Sequence, residues 1–301
     1  MDGREMSRIF ITGAAGFSGM HACSYYLEKG FEVYAGVRSL PHPNNQVHNI
    51  QCDLMNRDTL EEVLKTIKPR YILHLAAQNH SGRSWADPVT TINTNVIGTM
   101  NLMEAVKRTV PEAILLVVGS VIEYDPCSSS HPNHPYGLSK YIQTLLAASW
   151  ATFYHLDIRI AKPSNLIGPG ESDGICSLLV QKFLAYMEGE PVDFHFENMM
   201  DNRDFIDVRD AVKAYDCILQ KGERNECYIV STGLSRRFLE VVEELKRITG
   251  STLPISTAHS QLTPEHTYEN EKLANLNWQP EITLNQSLKD ILAYYRELNG
   301  T

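Results

Sequence analysis

The chain has no Cys-x-x-Cys pair, although six cysteines are spread along its 301 residues at 23, 52, 127, 176, 217 and 227. That spacing offers neither a zinc frame nor a disulfide framework, and it predicts reduced thiols in a cytoplasmic protein. No apolar run approaches the roughly 20 residues of a membrane span. The chain enters a strand at Arg8-Ile9-Phe10-Ile11 with no long apolar segment before it. A soluble, unsecreted protein with no membrane partner is expected. Positive charge is also scarce. With 27 Lys and Arg against 36 Asp and Glu, the formal net charge is -9, which disfavours the broad basic face a nucleic acid requires and leaves only local cations for small anions. Internal repeats, low-complexity tracts and linker-like stretches are missing too. A second region is therefore expected to pack on the first and not to swing on a tether.

What is present is alternation. Strand-like runs near 8-12, 31-37, 71-76, 114-120 and 156-162 interleave with helical patterns near 17-29, 57-67, 92-108 and 136-154. This predicts an α/β fold, a doubly wound parallel sheet of Rossmann type. Beyond about residue 163 the pattern loosens at Pro163, Gly168, Pro169 and Gly170, before helical stretches near 175-188 and 208-220. The expected organisation is a dinucleotide-binding domain over 1-166, to which 205-232 returns. Residues 167-204 and 233-301 then form a smaller C-terminal substrate-binding region. Ligands of such sheets lie beyond the carboxyl ends of the strands, so the functional residues should gather on one edge.

The first strand-to-helix junction reads Thr12-Gly13-Ala14-Ala15-Gly16-Phe17-Ser18-Gly19. Glycines there let the backbone approach a pyrophosphate, and the open amides of the following helix favour its charge. Gly13, Ala15, Gly16 and Phe17 are thus candidate cofactor contacts, in a Gly-x-x-Gly-x-x-Gly spacing that differs from the commoner Gly-x-Gly-x-x-Gly. The second strand ends in Val37-Arg38-Ser39, where NAD-preferring folds usually carry a carboxylate for the ribose. An arginine there suits the additional phosphate of NADP. NADPH is the expected cofactor, with NADH as the alternative. Asp53 can accept from an adenine amino group or serve as a helix cap.

For the chemistry, Ser120 closes the apolar run Ile114-Leu115-Leu116-Val117-Val118-Gly119, and Tyr136 is followed one helical turn later by Lys140. The Tyr-x-x-x-Lys spacing also occurs at Tyr25/Lys29 and Tyr268/Lys272, but only the 136/140 pair follows a strand ending in Ser and opens a long helix. A phenol with an ordinary pKa near 10 needs a neighbouring cation to move protons near neutrality. Lys140 shares its helix face and is expected to acidify it. Ser120 then binds a substrate oxygen while Tyr136 protonates it, and a nicotinamide exchanges hydride with the carbon. His131 and His134 lie in a Pro- and Ser-rich loop without the acidic or Cys partners of a ligand set, so no metal is expected.

With these residues in place, the chain resembles the extended short-chain dehydrogenase/reductase family, in its nucleotide-sugar branch. The resemblance runs nearly end to end: the glycine turn, Asp53-Leu54, His74-Leu75-Ala76-Ala77-Gln78, Asn93-Thr94-Asn95-Val96-Ile97-Gly98-Thr99, Tyr136-Gly137-Leu138-Ser139-Lys140, Asn165 to Gly170, and Arg203-Asp204-Phe205-Ile206-Asp207-Val208-Arg209-Asp210. It is greatest to the GDP-4-keto-6-deoxy-D-mannose reductases as a group. It implies that Leu54, Leu75, Ala76, Ala77, Gln78 and Asn95 face the cofactor, and that Asn165 and Arg203 meet a nucleotide diphosphate with Glu265 at its ribose. Lys162 stands where those reductases carry Arg, and it attracts phosphate only as a point charge. A homodimer joined through the helices near 92-108 and 136-154 is implied as well.

Three functions are distinguishable on these residues. Sugar 4,6-dehydratases place acid–base side chains directly after the catalytic Ser or Thr, whereas this chain has Val121 and Ile122, and Glu123 is expected to face elsewhere. A 4-epimerase needs the same Ser, Tyr and Lys but usually retains NAD. Arg38 points to NADPH consumed once per turnover, hence to reduction of a nucleotide-linked 4-keto-6-deoxyhexose. A non-catalytic NADP-binding sensor would have no need of all three catalytic side chains.

Overall fold

The computed structural model describes residues 6–259, 261–262 and 267–300. Six parallel strands are β1 (Arg8–Thr12), β2 (Glu32–Val37), β3 (His48–Gln51), β4 (Tyr71–His74), β5 (Ile114–Val118) and β6 (Ile158–Pro163). They line up in the order β6-β5-β4-β1-β2-β3, and Cys227–Val230 adds a seventh strand beside β6. The helices between them are α1 (Phe17–Glu28), α2 (Arg57–Ile67), α3 (Ser81–Ala86), α4 (Pro88–Ile92), α5 (Gly98–Thr109) and α6 (Pro135–Tyr154). The doubly wound fold expected from the alternation is therefore present. Chain direction across the sheet reverses between β1 and β4, and a ligand crevice belongs at their carboxyl ends.

Burial on both faces explains the strand sequences. All four residues of β4 are buried, as are Ile9 to Thr12 in β1 and Leu115 to Val118 in β5, so these strands read as continuous apolar runs without alternation. The outer strand β3, His-Asn-Ile-Gln, is largely exposed and polar, and so it carries no comparable signal. The helical pattern expected over 92-108 is three pieces. Asp87 accepts the amide of Thr90 at 2.9 Å and Pro88 opens α4; a π-helical turn over Asn93–Ile97 follows; then α5 begins. A widened turn of this kind re-aims side chains within an otherwise regular helix. β4 and β5 each stop two residues short of their expected ends at 76 and 120, at His74 and Val118. No helix among the described residues is long and apolar enough to cross a membrane.

The chain divides into two compact units. One comprises Met1–Lys162 with Val212–Tyr228, the other Pro163–Ala211 with Ile229–Thr301. The first contains β1 to β5 and α1 to α6, around a core that includes Phe10, Leu64, Leu102, Leu115 and Ile158. The second packs helices Ile175–Met187, Phe238–Thr249 and Leu284–Asn299 around Phe183, Phe238, Leu245 and Ile291.

Three buried carboxylates staple the second unit, and all three come from the Arg203–Asp210 motif. Asp204 accepts from Ser164 Oγ at 2.5 Å, Thr232 N at 3.1 Å, Thr232 Oγ1 at 2.7 Å and Leu234 N at 3.1 Å. Asp207 takes both Arg209 and the Ser287 hydroxyl, while Asp210 accepts the amides of Glu281 and Ile282 at 2.8 and 2.7 Å. Removing such an acceptor strands buried donors, each costing about 1–3 kcal/mol. Asp204→Ala is therefore expected to lower unfolding free energy by about 3 kcal/mol in a urea titration, with Asp204→Asn losing less; an unchanged midpoint would contradict the stapling role.

Candidate active site

The glycine turn is built to bring backbone close to a ligand. Gly13 has φ 69°, the left-handed region, and a Cβ there would lie 2.7 Å from Ala76 N. At Gly19 a Cβ would lie 2.2 Å from Gly13 O, so the first turn of α1 is pressed directly onto the loop. Gly16 caps α1 in extended conformation with no side-chain hydrogen bond, and the first turn carries no acidic residue. The amides at this 12-residue helix's N-terminus thus face no competing carboxylate from their own helix, an arrangement that fits a pyrophosphate. Arg38 is exposed just past the end of β2. Asp53 is exposed and accepts its own turn's Met55 amide at 3.0 Å, while the cap of α2 is Asn56.

A buried file of hydrogen bonds ties this turn to α6. The Ala76 amide donates to Thr12 Oγ1 at 3.2 Å, and Thr12 Oγ1 lies 2.7 Å from His74 Nδ1. His74 Nε2 lies 2.8 Å from Thr99 Oγ1, which also receives Gln143 Nε2 at 2.8 Å and gives its own proton to Asn95 O at 2.7 Å. Gln143 Oε1 accepts Lys140 Nζ at 2.9 Å. Because the Thr99 proton is committed to Asn95, Nε2 of His74 must be the protonated nitrogen and Nδ1 the acceptor. Burial, followed by nearby Lys140, holds His74 down at about 3, consistent with the neutral ring this requires. Asn95, inside the π turn, accepts the Gln78 amide at 2.7 Å and donates to Gln78 O and Ser139 Oγ, both at 2.9 Å. Leu75, Ala76, Ala77 and Gln78 are the half-buried segment so fixed beyond β4, and Leu54 is buried against Gly98.

Ser120, Tyr136 and Lys140 come together, 7, 6 and 3% exposed. His134 starts α6 by accepting the Gly137 amide at 2.7 Å, and its ring lies near-parallel to Tyr136, centroids 6.0 Å apart. His134 has no assigned role in the sequence reading beyond the metal it excludes; its place before Pro135, at the first position of a helix, was the available signal. Ser120 hydrogen-bonds the Tyr136 phenol and draws its pKa down, but burial outweighs that and, with Glu123, pushes Tyr136 up to about 12. The expectation that Lys140 acidifies Tyr136 is corrected here. The Lys140 ammonium is committed to Val118 O and Gln143, both at 2.9 Å, and burial lowers it to about 8. The site holds a neutral phenol, suited to giving a proton more than to taking one.

Glu123 was expected to face away, yet it lies within this cluster. The chain turns after Gly119 and does not continue as strand, with Glu123 N donating to Ser120 O at 3.3 Å. Its carboxylate meets the Lys162 ammonium and the Thr144 hydroxyl. Lys162 is thus held by a protein carboxylate. In the second unit, Asn165 Nδ2 donates to Asp204 O at 2.9 Å, and Arg203 lies 5.7 Å over the Phe196 ring. Arg203 stands opposite Arg236 in the register of two antiparallel strands, with Asp201 3.7 Å from the Arg203 guanidinium and Glu240 3.7 Å from that of Arg236. Arg236 was not singled out from the sequence, although the Arg236-Arg237 doublet was visible. Glu265 lies outside the described residues.

The sequence model of the "NAD dependent epimerase/dehydratase family" matches residues 9–231. GDP-6-deoxy-D-mannose reductase of Pseudomonas aeruginosa is 29% identical over 303 residues, covering 95% of this chain and 96% of its own. The dTDP-glucose 4,6-dehydratase of Haemophilus influenzae is 25% identical over 335 residues, covering 96% and 98%. Among solved structures, RMD from Pseudomonas aeruginosa complexed with NADPH superposes with a TM-score of 0.83 at 26% identity, covering 97% of this chain and 98% of that one.

The pressed contact at Gly19 generates a test of the loop. Adding one methyl there forces a shift of the kind that costs about 1–3 kcal/mol, so Gly19→Ala is expected to weaken NADPH binding about tenfold in a fluorescence titration. Unchanged affinity would remove the loop from the cofactor site.

Proposed function

Because the chain belongs to the NAD dependent epimerase/dehydratase family, we propose that it reduces the 4-keto group of a nucleotide-linked 4-keto-6-deoxyhexose, using NADPH. The observation that carries this reading is the buried Tyr136, whose phenol stays protonated far above neutral pH beside Ser120. Bound NADPH supplies the hydride. Ser120 hydrogen-bonds the carbonyl oxygen and orients it, and Tyr136 gives that oxygen its proton. Lys140, one helical turn on and cationic below about 8, is assigned to the ribose of the bound coenzyme, as its place on the Tyr136 face of α6 supports. Val121 and Ile122 carry no acid or base at the positions where dehydratases use them, which supports reduction over loss of water. An epimerase must also oxidise an alcohol, and with the phenol held up to about 12 almost none of the phenolate base for that step is present near neutrality.

The coenzyme's adenosine phosphate is assigned to Arg38, which has no acidic neighbour in Val37-Arg38-Ser39. Substrate phosphates are assigned to Arg203 with Arg236, which stand opposite each other in two antiparallel strands. A second copy of the chain is the proposed protein partner, supported by Leu145, Phe153 and Tyr154 exposed along α6.

Incubation with NADPH and a panel of GDP-, UDP- and dTDP-linked 4-keto-6-deoxy sugars is expected to consume reduced nicotinamide and give a 6-deoxyhexose. Interconversion without net NADPH loss would favour the epimerase, and binding without either would favour a sensor. Tyr136→Phe should lower turnover about 100-fold or more while leaving NADPH affinity near wild type; unchanged turnover removes Tyr136 from the mechanism. The pH profile follows from Lys140. Reduction should be level below about pH 8 and fall above it as the ammonium loses its proton, whereas a rate rising through that range would contradict the assignment.

A further inference from the structure

Glu123 and Lys162 form an ion pair that the reaction as described leaves unused. The Glu123 side chain is 9% exposed and bridges three elements: its own turn after β5, Lys162 on β6 and Thr144 on α6, whose hydroxyl reaches Oε2 at 3.1 Å. Gly119 makes the room, since a Cβ there would lie 2.6 Å from Thr144 Cγ2 and 3.4 Å from Lys162 Cγ. Thr144 follows Lys140 by one helical turn on the same face. Stability does not account for the pair, because a buried ion pair is on average no more stabilising than well-packed apolar side chains of its volume.

We propose that Glu123, fixed by Lys162 and Thr144, is the buried counter-charge that keeps Lys140 cationic during proton transfer, which makes Glu123 and Lys162 positioning residues of the active site. Burial lowers Lys140, and Glu123 is the group that opposes it. The same carboxylate raises Tyr136, so one anion keeps both proton-bearing groups loaded. Around Glu123 itself, burial pushes the carboxyl up while Lys162, Thr144 and Lys140 draw it down. Lys162 in turn feels Cys227 and Asp125 besides Glu123. The Lys162 ammonium thus serves the proton-transfer site in place of a substrate phosphate.

This assignment rests on the proton-transfer reading of the site, but its test requires no substrate. In protein labelled with 13C at the lysine Cε, the Lys140 signal is identified by its loss in Lys140→Arg and titrated with and without NADPH. Glu123→Gln is expected to lower the Lys140 midpoint by about one pH unit, and Glu123→Asp, which keeps the charge, to shift it less. Where Glu123→Gln does not fold, the paired E123Q/K162M variant leaves no orphaned ammonium and carries the same expectation. A Lys140 midpoint that stays at its wild-type value in folded protein overturns the proposal. Failure of every sugar in the panel to react would contradict the substrate reading alone, since the titration is read without substrate.

Discussion

The structure depends on the burial of Lys140 and on the hydrogen bonds that make this burial tolerable. An ammonium inside a sheet-and-helix sandwich must be surrounded by acceptors or lose its proton. Here Val118 O and Gln143 Oε1 accept from it. Gln143 can present its oxygen only because its nitrogen is engaged by Thr99, and Thr99 in turn is bracketed by His74 and Asn95. The file ends at Thr12 and Ala76, at the glycine turn. The placement of the Lys140 ammonium and that of the glycine turn are therefore one arrangement, held in low dielectric where each satisfied bond strengthens its neighbours.

Much of that arrangement was legible because backbone necessity and side-chain chemistry coincide in short segments. The glycine turn needs Gly13 in a left-handed conformation and Gly19 without a side chain, and both requirements leave glycines in the sequence. The central strands are buried on two faces and read as apolar runs. The Ser120, Tyr136 and Lys140 group was recognisable because a strand end and a helix start fix its geometry locally. Features set by chain turns and distant partners were not. Glu123 reaches the site because the backbone folds over after Gly119, and a strand-like continuation gave the wrong facing. Gln143, Thr99 and His74 look like ordinary packed polar residues until the sheet order brings β4, α5 and α6 together. The outer strand β3 has too few apolar residues to announce itself.

Electrostatics also changed the chemical picture. An ammonium one turn along a helix lowers a phenol's pKa only if it reaches the phenol, and Lys140 is directed at Val118 and Gln143 instead. Desolvation then governs Tyr136. The outcome favours a proton donor, which is the role reduction of a carbonyl requires. The acidic residues of the Arg203–Asp210 motif illustrate the complementary point: Asp204, Asp207 and Asp210 are spent on buried hydrogen bonds.

The central claim is that hydride leaves the cofactor once and does not return. The direct measurement is a turnover with NADPH deuterated at the nicotinamide C4, first on one face and then on the other, followed by mass analysis of sugar and coenzyme. The account predicts that one face delivers its label to the former carbonyl carbon of the sugar, one deuterium for each NADP formed, with no label washed in from solvent. Deuterium found back on the reduced coenzyme while the sugar interconverts, or a carbinol hydrogen drawn from water, would contradict it.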